Sequence, residues 1–141
     1  MWTKVGYDIE YYAHGRDDRQ PAEQFEDALF RQSPKLLGKL QAVAASVAKE
    51  LPQSIGGGLF EKARGYPDLY EVRTIFSRQL ARYLAAMDGQ VDPPRLVLLH
   101  GVAKQTGEPT PEADLRLAAR YLADYHRMRQ VSPEEADDEQ I

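Results

Sequence analysis

The chain has 141 residues, 18 Lys and Arg against 22 Asp and Glu, and no cysteine. This length suits one domain with a core of its own, and the missing thiols exclude a disulfide scaffold, a thiolate nucleophile and any cysteine-ligated zinc or iron–sulfur centre. No apolar run approaches the roughly 18 residues of a membrane span, and Met1 to Asp8 holds no apolar signal core, so a cytoplasmic protein is expected.

The net charge of −4 is uneven along the chain. Ser132 to Ile141 carries five acids and no base, leaving 18 bases against 17 acids in the rest. Residues 1–131 are expected to form the domain and 132–141 an acidic disordered tail, too poor in apolar residues to offset the entropy of ordering. A body so near neutrality does not carry the footprint of a strong non-specific nucleic-acid binder.

From Lys4 to Tyr12 the pattern alternates, Val5, Tyr7, Ile9 and Tyr11 against Lys4, Gly6, Asp8 and Glu10, and predicts a half-buried strand. His14 to Gln20 reads as a loop. Pro21 then opens a helix carrying Glu23, Phe25, Ala28 and Leu29. Ser33-Pro34 restarts the helix, with serine as cap and proline in the first turn, and Leu36, Leu40, Val43 and Val47 form its apolar stripe up to Leu51-Pro52. The glycine run Gly56-Gly57-Gly58 is a loop.

The period then changes to two. Leu69 to Phe76 and Leu80 to Met87 read as strands joined by Ser77-Arg78-Gln79, and the almost wholly apolar Leu96 to Val102 as a strand covered on both faces. Thr110-Pro111-Glu112 opens a last helix, with threonine as cap, proline at the first position and acids in the first turn, and with the stripe Leu115, Ala118, Leu122 and Tyr125. The expected class is α+β: an N-terminal strand, two helices, a three-stranded antiparallel meander and a C-terminal helix, with one mixed sheet as the simplest assembly.

Most chemical motifs are absent. The glycine run lacks the Gly-Lys-Ser/Thr of a phosphate loop and does not follow a strand. His14, His100 and His126 show no ligand spacing, so no metal or other cofactor is expected. There is no Gly-x-Ser-x-Gly elbow, and Asp8 with Glu10 reads as a solvated strand edge. What remains is a set of cations on the meander: Arg73, Arg82 and Lys104, with His100 beside them. Two guanidiniums match phosphate oxygens in pairs, and an imidazole can move a proton near neutral pH. Such a set could cleave a phosphodiester without a metal. Each residue also has a plainer reading: a solvated face or a pairing with Glu71 for the arginines, a hydrogen-bonded core position for His100.

The same residues resemble a family. Leu69-Tyr70-Glu71-Val72-Arg73 is similar to the Leu-Tyr-Glu-Leu-Arg segment of HigB-type toxins of the RelE/ParE superfamily, including their phage-derived branch. Ala81-Arg82-Tyr83 resembles that family's Tyr-Arg-aliphatic strand, and Leu98-Leu99-His100-Gly101-Val102-Ala103-Lys104-Gln105-Thr106 its Leu-Leu-His-Gly-Phe-x-Lys-Lys-Thr. Thr110-Pro111 with Leu117-Ala118 fits its helix start. The resemblance spans Leu59 to Tyr125, with Val102 in place of an aromatic residue and Gln105 in place of a second lysine. It implies a RelE-like fold and a toxin of a type II toxin–antitoxin system. That activity would be a ribosome-dependent mRNA endonuclease in which the substrate's 2′-hydroxyl attacks phosphorus without a metal. It further implies an antitoxin partner of helix-turn-helix type. Carried over by motif, Arg73 and Arg82 would hold the phosphate, Lys104 would neutralise charge, and His100 or Tyr83 would transfer protons. A non-catalytic binding module on the same fold, gyrase-poisoning or host-interacting, is the alternative.

Overall fold

The computed structural model describes residues 6–15 and 19–130. In chain order the elements are β1 (Asp8–Tyr11), α1 (Pro21–Gln32), α2 (Pro34–Glu50), β2 (Phe60–Lys62), β3 (Tyr70–Phe76), β4 (Gln79–Asp88), β5 (Arg95–Gln105) and α3 (Glu112–Gln130). The class is α+β, with one mixed sheet of five strands in the order β1-β5-β4-β3-β2. β3, β4 and β5 form the expected antiparallel meander, and β1 joins its edge parallel to β5.

The helix signals hold where backbone chemistry dictates them. Ser33 caps α2, its Oγ accepting from the Leu36 N–H at 3.2 Å, and Pro34 sits in the first turn, where a missing N–H costs nothing. Pro21 opens α1 in the same way. Thr110 does not cap α3; its hydroxyl is turned to Glu71 instead. In α1 the inward residues are Ala22, Glu26 and Leu29, and Ala28 faces solvent.

Two strand expectations are corrected. β1 is shorter than Lys4 to Tyr12, and Lys4 and Val5, like the acidic tail, lie outside the described residues. β2 is additional: Phe60, Glu61 and Lys62 pair with Val72, Glu71 and Tyr70. Three residues after a glycine run are too few for alternation to register.

Helices cover both faces of the sheet. On one, Leu36, Leu40 and Val47 of α2 with Leu29 of α1 pack on Val72, Ala81, Tyr83 and Leu98. On the other, the α3 stripe Leu115, Ala118, Leu122 and Tyr125 packs on Leu84, Ala86, Val97 and Leu99. α1 lies so close to β5 that a Cβ added at Gly101 would stand 2.0 Å from the Phe25 ring. The turn between β3 and β4 is tight. Phe76 pairs with Gln79, and Ser77 and Arg78 both take positive φ, 52° and 66°, the conformation of a two-residue hairpin normally filled by Asn-Gly.

One irregularity shapes the far side. Leu84 pairs with His100 but Ala85 with Leu98, so Leu99 is an extra residue in β5. This bulge sends Leu99 into the core under α3 and keeps His100 on the same face. The rest of that face, toward the β3–β4 turn, is uncovered, as the half-exposed Ile75 and the exposed Lys104 show.

Candidate anion-binding site

In the register of β3 and β4, Arg73 stands directly opposite Arg82. Strand alternation puts both guanidinium-bearing side chains on the α3 face, with Glu71 two residues before Arg73. Like charges opposite one another repel, so the surroundings of this pair decide what it is for.

Arg82 is 4% exposed. Its Nη2 donates to the Glu108 carbonyl at 2.6 Å, and its Nε lies 3.3 Å from Glu71 Oε1. Glu71, itself buried, accepts from the Thr110 hydroxyl at 2.9 Å through its other oxygen. Glu71 thus pairs across the strands with Arg82, not with Arg73 on its own strand. Burial pushes the Arg82 guanidinium below the ordinary arginine value, Glu71 draws it back and Arg73 pushes it down again. The group stays charged.

These contacts leave donors over. Arg82 Nη1 and Arg73 Nε are buried and have no hydrogen-bond partner among the described residues. An unsatisfied buried donor costs about 1–3 kcal/mol, and two such donors stand on these facing residues. A cleft of about 430 Å³ opens beside them, lined by Lys62, Arg64, Arg73, Arg82, Glu71 and Thr110 among others. Its cations outnumber its acids, Glu71 and Glu112, by four to two. Planar guanidinium forks in such a place suit bidentate contact with a phosphate or carboxylate.

His100 and Lys104 flank this pair on β5. Each is two residues from Val102, which is the register partner of Arg82, so both are diagonal neighbours of Arg82 on the same face. His100 is half-buried, and its Nε2 lies 2.8 Å from Asp114 Oδ1 in the first turn of α3, which fixes the ring. Lys104 is exposed and has no ion pair among the described residues. Both adjoin the cleft without lining it.

Tyr83 is the exception, and its expected role is corrected. It follows Arg82 directly in a strand, so it points to the opposite face. There it is fully buried under α1, its hydroxyl donating to Glu26, which also accepts from Tyr11. Burial and the bond to Glu26 push that hydroxyl far above the ordinary tyrosine range.

Four further residues shape the site without having been singled out from the sequence. Lys62 and Arg64 stand in and just after β2, where only the Lys-Ala-Arg spacing after the glycines hinted at them. Asp114 read as one of several acids favouring a helix start. Thr110 read as a cap. No protein-family model, curated protein or solved structure matches the chain.

Proposed function

We propose that this protein is the toxin of a type II toxin–antitoxin system, an endoribonuclease that cuts mRNA on the ribosome in the cytoplasm and is silenced by a small helix-turn-helix antitoxin. One observation carries the reading: two opposed arginines on one sheet face, both lining a cation-rich cleft. The motif resemblance and the parallel attachment of β1 to the meander are consistent with a RelE-like topology.

In this reading the scissile phosphate sits against Arg73 and Arg82. The substrate's 2′-hydroxyl gives up its proton and attacks the adjacent phosphorus. The bond from phosphorus to the 5′-oxygen breaks, and that oxygen takes up a proton, leaving a 2′,3′-cyclic phosphate and a 5′-hydroxyl. The guanidiniums meet the charge that builds on the non-bridging oxygens, usually the largest catalytic effect. His100, held by Asp114, is the residue for proton transfer, and Lys104 adds positive charge beside Arg82.

A second reading, a non-catalytic binding module, is favoured by one contact: Glu71 already neutralises part of the Arg82 charge. Induction of the protein without its antitoxin separates the two. The nuclease reading expects growth arrest with new 5′ ends in mRNA by primer extension, both relieved by Arg73→Ala. Arrest with intact mRNA, or arrest unchanged in the variant, contradicts it.

A further inference from the structure

Arg82 lines the cleft and yet is only 4% exposed. Part of its cover is the connection from β5 to α3, residues 106–111. The Glu108 carbonyl of that segment accepts from Arg82 Nη2 at 2.6 Å, and Pro109 and Thr110 form one wall of the cleft. Nε faces Glu71 at 3.3 Å, so Nη1 alone lacks a partner among the described residues. A paired contact with phosphate needs two neighbouring nitrogens. In this conformation a backbone carbonyl holds one of them.

The connection is held by little else. Residues 106–109 are exposed, and none of residues 106–111 belongs to either core. The Thr106 N–H donates to the Arg78 carbonyl at 2.9 Å, and the Glu108 N–H turns back to the Gln105 carbonyl. Gly107, with a φ of 92°, allows a sharp change of direction. Beyond it, two side-chain contacts tie the segment to the sheet before α3 begins: Arg82 to the Glu108 carbonyl, and Thr110 to Glu71. Pro109 and Pro111 bring no N–H that could add a third. Both ties end on the one arginine–glutamate pair.

We infer that residues 106–111 form a strap that closes the phosphate site, and that an anion reaches Arg82 by taking Nη2 from the Glu108 carbonyl and lifting the strap. This rests on the functional reading above and adds a control on access to the same site. A guanidinium bonds an ionised oxygen roughly twice as strongly as two neutral groups bond each other. An arriving phosphate therefore outcompetes the carbonyl, and an empty site stays shut. Because only the open form takes phosphate in full, the apparent affinity is that of the open form reduced by its population.

The test is a distance measurement. The chain has no cysteine, so Glu108→Cys on the strap and Ala45→Cys on the exposed side of α2, across the sheet, take spin labels at those two places alone. Pulsed electron resonance on the full chain reads their separation, and calorimetry on the same protein follows the binding of inorganic phosphate. Saturating phosphate is expected to replace the distance of the free protein by a longer one. Thr110→Val in the labelled protein removes one tie without changing charge. It is expected to populate the longer distance before phosphate is added and to raise phosphate affinity about tenfold, the worth of about one hydrogen bond to a charged group. Thr110→Ser, which keeps the hydroxyl, is expected to show the short distance alone. A separation that stays the same with phosphate bound overturns the strap, and so does unchanged or weakened phosphate affinity in Thr110→Val. In either case the functional reading stands if Arg73→Ala weakens phosphate binding. Failure of both the wild type and Thr110→Val to bind phosphate overturns both.

Discussion

Arg73 and Arg82 face the same cleft but should respond differently to truncation. Arg73 is half-buried and holds no ion pair among the described residues, so Arg73→Ala is expected to change stability by no more than about 0.5 kcal/mol. Arg82→Ala strands the buried Glu71 and should cost about 3–5 kcal/mol, visible in chemical denaturation. Arg73 is therefore the clean probe of function and Arg82 a mixed one. Tyr83 tests the opposite assignment. Tyr83→Phe removes a donor from the buried Glu26 and is expected to lower stability by about 1–3 kcal/mol while leaving RNA cleavage at the wild-type rate. A variant as stable as the wild type with lost cleavage would return Tyr83 to the site. Strand parity already separates Tyr83 from Arg82 in the sequence; motif resemblance alone joins them.

At the scale of elements, the meander was legible because Leu69 to Phe76 alternates and the apolar Leu80 to Met87 follows it across a short turn, and α2 because Ser33-Pro34 marks its start in chemistry that needs no tertiary context. β2 and the bulge at Leu99 were not, since both are decided by pairing with distant strands, and a three-residue strand has no period to read. Likewise Thr110 satisfied a local capping rule, but the buried Glu71 offered its hydroxyl a better partner. Packing between elements makes its own prediction. Gly101 lets α1 lie against β5, and a methyl group there meets the Phe25 ring. Gly101→Ala is expected to cost about 1–3 kcal/mol as Phe25 is displaced, measured by thermal denaturation. An unchanged melting temperature would mean that α1 is not seated as described.

Over the whole molecule, α3 ties the structure together through tyrosine and carboxylate contacts. Tyr12 donates to Asp124, and Tyr125 donates to the buried Asp88, which Arg129 also meets at 2.9 Å. Burial, followed by the bond to Asp88, pushes the Tyr125 hydroxyl up to about 12. Tyr11, Tyr12 and Tyr83 are pushed up further, each by burial first and then by its carboxylate partner. In the unfolded chain these hydroxyls ionise near pH 10. The folded state therefore binds more protons above that pH, so this stabilisation is complete below about pH 10 and declines as pH rises toward the folded values. Absorbance titration of tyrosinate should find Tyr11, Tyr12, Tyr83 and Tyr125 still protonated at about pH 11 in folded protein, ionising together on unfolding. Simple titration of all eight tyrosines near pH 10 would contradict the packing on both sheet faces.

The central claim is that Arg73 and Arg82 jointly meet one phosphate of an RNA chain. Its most direct test is cleavage of mRNA on purified ribosomes by wild type and Arg73→Ala, with the melting temperature of each measured alongside. The account predicts 2′,3′-cyclic phosphate ends from the wild type and a rate about 10²- to 10³-fold lower from an equally stable variant. Equal rates from the two proteins, or no cleavage by the wild type, would contradict it.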